Sequence, residues 1–281
     1  MNGEAASAFL QALQTAERQP IPADRLAVVV AHPDDETIGA AGLLMRTTGA
    51  HVLVVTDGAP RSAEVARDHG FASFQDYAAA RREEFQGAMA IAGVPVERQI
   101  MLGFADQGAT HGLAQLSAML AGALIARNIT TVVTHAYEGG HPDHDAVAFA
   151  VQAAWRLLQQ RAHPLAAIEM PLYRLDAQGD CEFTTSFARP AEGATDYTVA
   201  GSMLERKRAM IAAHASQQEV LKLFDPVREQ FRPAPLHDFT QLPNEGRLMY
   251  ELYPWGMDGA LFQRRVGEAM AALAREGLRW D

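Results

Sequence analysis

Apolar residues recur along the chain with two periods. Short unbroken runs lie at 26–31, 51–56, 99–102, 130–134 and 166–170. They lack the alternation of a half-exposed strand, so they predict strands covered on both faces. Between and around them, residues 4–18, 37–48, 75–92, 113–128, 143–160, 202–224 and 260–276 carry apolar positions at helical spacing. Gly49 and Gly93 are suitable stops for two of these helices. Strands alternating with helices at this spacing predict βαβ units, a mostly parallel sheet and right-handed crossovers, the α/β class.

The second half is less regular. Residues 171–200 alternate, as in Cys181-Glu182-Phe183-Thr184, around a turn near Gln178-Gly179-Asp180, and predict antiparallel strands appended to the sheet edge. Residues 225–259 are irregular and proline-rich, and 57–73 form another long loop; segments of this kind are often binding loops. No linker, repeat or low-complexity tract divides the chain, so residues 1–281 are expected to form one domain. Residues 25–160 would be its core, and 161–281 would shape the pocket.

Composition narrows the function classes. Hydrophobic residues make up 48% and charged residues 21%, which favours an extensive core over disorder. The formal net charge is −10 and no basic stripe is present, which argues against a nucleic-acid partner. The run Glu205-Arg206-Lys207-Arg208 reads as a solvated helix face. Cys181 is the one cysteine, so a metal site would have to be built from His and carboxylate ligands. The N-terminal residues lack the apolar centre of a signal peptide, and no run approaches the ~20 apolar residues of a membrane span. The expected location is cytoplasmic, with oligomeric state open and a homo-oligomer allowed.

Two segments carry the chemistry. Ala31-His32-Pro33-Asp34-Asp35-Glu36 follows one apolar strand, and Gly139-Gly140-His141-Pro142-Asp143-His144 follows another. The carboxyl edge of an open α/β sheet is where ligands bind. A hydrolytic zinc site needs three protein ligands, a base and an oxyanion donor. His32, Asp35 and His144 can supply ligands, with Asp34 left as base and His141 left to meet the oxyanion or protonate the leaving amine. The plain alternative is that these acids offset two helix dipoles. Three adjacent acids at a strand end nonetheless favour a cation. A dinucleotide-binding site is excluded, because the first strand leads into carboxylates and not into a glycine-rich turn. His214 reads as a packed helix residue. Trp155, Trp255 and Trp280 read as core or interface residues, although Tyr253-Pro254-Trp255 could line a carbohydrate pocket.

These motifs resemble the PIG-L/LmbE-like family of zinc-dependent N-acetylglucosaminyl deacetylases. The likeness spans most of residues 25–160. It extends to the helix with Arg81-Arg82-Glu83-Glu84, to Leu102-Gly103-Phe104-Ala105-Asp106, and to the 207–217 helix with its His214-Ala215-Ser216-Gln217. The resemblance implies a Rossmann-like three-layer sandwich and an amidohydrolase acting on a small amino-sugar substrate. It implies His32, Asp35 and His144 as zinc ligands, with Fe2+ or another divalent ion as an alternative. It implies Asp34 as the base that takes the proton of the attacking water, and His141 as oxyanion stabiliser or acid. Asp143 would orient a histidine from behind, and Arg81 and Asp106 would touch sugar hydroxyls. Some sugar-thiol members have a tyrosine two residues before the second-motif histidine. Here that position is Gly139, with Tyr137 two residues earlier. The alternatives are a zinc amidase for a larger acyl group or a secondary-metabolite amide, and a non-catalytic sugar-binding module.

Overall fold

The computed structural model describes residues 3–15, 19–188 and 193–280. In chain order the elements are α1 (Gly3–Gln14), β1 (Ile21–Pro22), β2 (Leu26–Val30), α2 (Asp35–Arg46), β3 (Thr47–Thr48), β4 (His51–Pro60), α3 (Ala63–Asp68), α4 (Phe74–Ala92), β5 (Gln99–Asp106), α5 (Leu113–Ala126), β6 (Thr131–His135), α6 (Pro142–Gln159) and β7 (Ala166–Met170). There follow β8 (Tyr173–Leu175), β9 (Cys181–Phe183), β10 (Thr195–Thr198), α7 (Ser202–Ala213), α8 (Gln218–Leu221), β11 (Arg228–Pro233) and α9 (Gly259–Arg275).

Among the described residues, seven strands form the main sheet in the order β10-β11-β7-β6-β2-β4-β5. From β7 to β5 all neighbours are parallel, while β11 runs antiparallel to both β7 and β10. The chain moves outward from β2 through β4 to β5, then crosses back to add β6 on the other side of β2. Strand order therefore reverses between β2 and β6, the point where open α/β sheets bind ligands. Both sequence motifs leave the sheet there.

Successive residues of each central strand serve two cores, as strand geometry requires. Val28, Val30, Val52, Val54, Val133 and Ile168 pack under α1, α2 and α4. Ala27, Val29, Leu53, Val55, Val132 and Ala167 pack under α5, α6 and α9. The three-layer α/β sandwich expected from the sequence is thus present.

Some expectations change in detail. Residues 16–18 of the first expected helix lie outside the described residues, and α1 ends at Gln14. Thr47 and Thr48, expected to continue a helix, instead pair with Ile21 and Pro22 in a parallel bridge. Asp57–Pro60 extends β4, and α3 interrupts the expected loop. Of the strands expected to join the sheet edge, β8 and β9 form their own hairpin and only β10 joins the edge, through β11. That strand falls inside the stretch read as irregular.

Lys207 corrects the reading of its run as a solvated face. It is fully buried, and its Nζ donates to Ile38 O and to Glu229 Oε1, both at 2.7 Å. Glu229 in turn accepts from Gly42 N at 2.8 Å. The ion pair therefore engages a carbonyl and an amide that ordinarily bond across one helix turn, and it splices α7 and β11 into the ladder of α2. Residues 109–126 are apolar enough by composition to cross a membrane. In the fold they are a core helix, with Leu113, Leu116, Leu120 and Leu124 buried against α6 and α9.

Candidate active site at the switch point

The first motif turns from β2 into α2. Asp34 occupies the N-cap of α2, yet its side chain makes no capping hydrogen bond. It faces Arg81 of α4 instead, 3.1 Å from Nη2 to Oδ2. Arg81 is buried and also donates to Gly58 O at 2.9 Å and Pro33 O at 3.4 Å. This approach requires Gly58: a Cβ there would lie 2.8 Å from the guanidinium carbon. Burial pushes the Asp34 carboxyl up to about 6, with Arg81 opposing.

Asp35 opens α2, and its carboxylate accepts from His32 N at 2.7 Å. The second motif brings His144 from the first turn of α6. His32 Nδ1 lies 3.2 Å from His144 Nε2 and 3.4 Å from Asp35 Oδ2, and His144 Nε2 lies 3.2 Å from Asp35 Oδ1. Ligands about 2.0–2.1 Å from a tetrahedral ion stand roughly 3.3 Å apart. The two ring nitrogens stand at that spacing, and the two oxygens of Asp35 each face one of them, so a single ion between the three side chains is within reach of all of them. Burial would raise the Asp35 carboxyl, but His144 and His135 outweigh it and hold the group well below the usual carboxylate range.

Behind this triad, His32 Nε2 meets Asp106 Oδ1 at 3.1 Å and Asp143 Oδ2 at 3.4 Å. Carboxylates on the far ring nitrogen are the usual support of a metal-binding histidine. Asp143 also accepts from Gln107 N and Ala109 N, at 2.6 and 3.0 Å, which ties the loop after β5 to α6. Among the described residues, two groups could hold a metal: His32, Asp35 and His144, or His32, Asp106, His141 and Asp143. The second is the poorer set, because the Asp143 oxygens are taken by backbone amides and His141 Nδ1 accepts from Asp143 N at 3.1 Å. The first fits the ion that its chemistry calls for. With no cation present, burial would lower the pKa of His32, but Asp106, Asp143 and Asp35 outweigh it and raise it well above its ordinary value. Three carboxylates gathered on one buried imidazole demand a positive charge.

His141 caps α6. A backbone N–H can only donate, so Nδ1 is its unprotonated nitrogen and Nε2 carries the proton. Burial and the neighbouring His32 push its pKa down to about 3, so the ring offers a neutral Nε2–H donor.

Two residues at the site escaped sequence reasoning. His135 ends β6, stacks on His144 at 3.8 Å and accepts from Ala31 N at 2.9 Å. Its signal was a histidine closing an apolar strand beside a motif. Tyr173 places its hydroxyl 3.2 Å from His144 Nε2. Nothing in the local sequence marks it, because it arrives through the hairpin β8-β9. Tyr137 turns away and donates to Gln241 O at 3.0 Å. His214 is buried, 3.2 Å from Thr37 Oγ1. Trp280 stacks on Phe149 in the core, and Trp155 packs on the same cluster. Trp255 instead lies 4.5 Å from the His141 ring and in parallel contact with Tyr253.

His32, Asp34, Asp35, Arg81, Asp106 and His141 open into one cavity of about 240 Å³, walled on its other sides by Leu172, Tyr173, Phe183, Leu221, Phe224 and Trp255. Arg81 lines it while donating to Gly58 O, Pro33 O and Asp34 Oδ2.

Residues 27–155 match the family model described as PIG-L, GlcNAc-PI de-N-acetylase. Over 246 residues the chain is 33% identical to the 1D-myo-inositol 2-acetamido-2-deoxy-alpha-D-glucopyranoside deacetylase of Nakamurella multipartita, covering 72% of this chain and 82% of that protein. The chain belongs to the PIG-L/LmbE-like deacetylase family. Solved structures agree on the fold. The zinc-inhibited form of the teicoplanin deacetylase Orf2 superposes with a TM-score of 0.57 at 18% identity, over 76% of this chain and 99% of that one. The N,N'-diacetylchitobiose deacetylase of Pyrococcus horikoshii superposes with a TM-score of 0.55 at 18% identity, over 84% and 93%. The two motifs of this PIG-L/LmbE-like chain, at 31–36 and 139–144, both fall within the matched residues.

Proposed function

We propose that this hydrolase removes the acetyl group from an N-acetylglucosamine-type sugar or conjugate, using a divalent ion, zinc by preference, held by His32, Asp35 and His144. The observation that carries the reading is the convergence of His32 Nδ1 and His144 Nε2, 3.2 Å apart and each within 3.4 Å of one Asp35 oxygen, beside an Asp34 carboxylate that caps nothing. A zinc ion bound there would acidify water and polarise the amide carbonyl. Asp34 takes the proton of the attacking water, and Arg81 holds its carboxylate in place. His141 donates from Nε2 to the developing oxyanion. Asp106 and Asp143 fix the His32 ring, and His135 buttresses His144. Asp34, once protonated, is the nearest acid for the departing amine. Asp106 and Arg81, both on the cavity lining, are the proposed neighbours of the sugar hydroxyls.

We read residues 1–281 as one functional unit, with 25–160 carrying the motifs and 161–281 the cavity wall. A cytoplasmic location is part of the same proposal, supported by the free, exposed Cys181.

The test is acetate release by metal-defined protein across N-acetylglucosamine derivatives: free, inositol-linked, nucleotide-linked and chitobiose. Release from at least one, abolished by a chelator and restored by zinc, is expected. No release from any of them by protein with one zinc bound would overturn the reading.

A further inference from the structure

Gln107 follows Asp106 on the cavity lining, and its backbone has φ 63°. Five described residues other than glycine have positive φ, and Gln107 is the one among them that lines this cavity. Glycine and asparagine adopt such a conformation most readily, and a long side chain is uncommon there. The local bonds fix it from two sides. Gly108 N donates to Ala105 O at 3.0 Å, closing a turn whose third residue is Gln107, the place where a positive φ calls for Gly or Asn. Gln107 N donates to Asp143 Oδ2 at 2.6 Å, and Ala109 N to Asp143 Oδ1 at 3.0 Å.

All of these bonds use the backbone, so a glycine would make every one of them without the strain. Neither the turn nor the clamp on Asp143 explains the glutamine side chain. Backbone strain kept where a better-suited residue would fold as well points to a functional use. The Gln107 amide has no hydrogen-bond partner among the described residues. The other amide on the lining, Gln217, is committed to the protein: its Nε2 donates to Tyr77 Oη at 2.6 Å and to Ser216 O at 2.9 Å. Asp106 gives Oδ1 to His32 at 3.1 Å and, as a carboxylate, can only accept. A free amide has both donors and an acceptor, the complement of a hydroxyl group.

We infer that Gln107 is a specificity-determining residue, whose amide hydrogen-bonds one hydroxyl of the substrate's hexosamine ring. The inference rests on the deacetylase reading and deepens it, because it assigns the choice between sugars to one side chain. The clamp on Asp143 and the strained turn hold the amide in place before the sugar arrives.

The experiment compares kcat/KM of the zinc-loaded protein for the methyl glycoside of N-acetylglucosamine and its three monodeoxy analogues, each lacking one hydroxyl. Two variants are measured beside the parent. Gln107→Gly removes the amide and the strain; Gln107→Met removes the amide alone. With the parent protein, one deoxy sugar is expected to fall roughly tenfold below the intact glycoside, the upper worth of one hydrogen bond. With either variant that ratio should shrink to less than about twofold, and Gln107→Gly should melt no lower than the parent. Ratios that are alike in all three proteins overturn the inference. So does a parent that does not distinguish the four sugars. A lower melting temperature for Gln107→Gly with the parent's ratios kept would make the side chain structural.

A failure of the deacetylase reading itself is distinguishable. Calorimetric Kd values for the same four sugars need no turnover. Equal Kd ratios in parent and variants, or no binding of any sugar, would sink the inference whether or not acetate is released. The expected Kd pattern without acetate release would instead overturn the deacetylase reading and keep Gln107 as a sugar contact.

Discussion

His32, Asp34, Asp35, His141 and His144 sit on two strand-to-helix turns that leave adjacent parallel strands, within nine residues of β2 and β6 and no further than the first turn of α2 and α6. Leu172, Phe183, Leu221, Phe224 and Trp255 face the same cavity from scattered segments between β7 and α9. The floor is held by directional bonds at fixed distances, and the wall by packing. A directional site fails when a single atom is replaced, because each group has one task. A packed wall loses affinity in proportion to the surface removed. The two regions should therefore answer substitution differently.

The sharpest separation is expected from Asp34→Asn. Removing a positioned base costs typically ~10²–10⁴-fold in turnover. The loss should be the same for every N-acetyl substrate, and the zinc content, read by metal analysis, should stay at the wild-type level because the donor triad is untouched. A loss that varied from substrate to substrate would move Asp34 from the proton-transfer role to recognition.

Next comes the seam between the regions. Lys207 from α7 and Glu229 from β11 reach into α2, whose first residue is Asp35. Removing one partner of a buried ion pair leaves an uncompensated charge, at a cost of about 3–5 kcal/mol. Lys207→Met should lower stability by that order in denaturant titration, and Lys207→Met with Glu229→Leu should recover part of it. If the double variant were less stable than the single one, the pair would be holding α2 through its helix-ladder contacts rather than through charge balance.

The two regions also differed in how far the sequence disclosed them. The strands at 26–30 and 131–135 announce themselves as apolar runs, and the donors follow within six and nine residues. One local rule, ligands at the carboxyl edge, was enough to gather His32, Asp34, Asp35, His141 and His144. The βαβ spacing gave the parallel core in the same way. Lys207 defeated local reasoning because its partner is 22 residues away on a strand that proline-rich sequence concealed. Tyr173 was opaque for the same reason, since long-range placement decides which aromatic meets the site, whereas Trp255, read first as a core or interface residue, lines the cavity as the alternative for Tyr253-Pro254-Trp255 allowed. Arg81 was tied to the sugar by resemblance; it does line the cavity, and it also holds Asp34 and two carbonyls, a second task that residue type alone does not disclose.

A smaller effect probes a direct contact between floor and wall. Gly140, next to His141, runs against the backbone of Tyr173 so closely that a Cβ would lie 1.9 Å from Tyr173 O. Gly140→Ala must push the motif loop or the hairpin aside. Overpacking of this kind costs about 1–3 kcal/mol, and both the His141 donor and the Tyr173 hydroxyl should shift with it. A fall in thermal stability accompanied by weaker zinc binding is expected. Lower stability with metal affinity intact would show that the hairpin moves while the floor stays in place.

The mildest test concerns Glu138, where the loop after β6 meets the second half. Its Oε1 accepts from Leu172 N at 2.8 Å, and Oε2 lies 3.5 Å from Arg174 Nη1. Burial pushes its carboxyl up to about 7 from 4.5, with the Leu172 amide and Arg174 opposing and Glu169 adding to the rise. A raised acid pKa means that the folded state holds a proton the unfolded chain has released. The associated stability is complete below pH 4.5 and is lost as pH rises through about 7. Glu138→Gln keeps the bond from Leu172 N and removes the titration. Between pH 5 and 7 the variant should lose less stability than the parent, by on the order of 1–3 kcal/mol. The check is urea unfolding at several pH values. Parallel pH profiles for the two proteins would mean that Arg174 holds Glu138 ionised throughout. The contact between floor and wall would then be a standing ion pair, and the loop carrying His141 would be as firmly fixed at pH 5 as at pH 7.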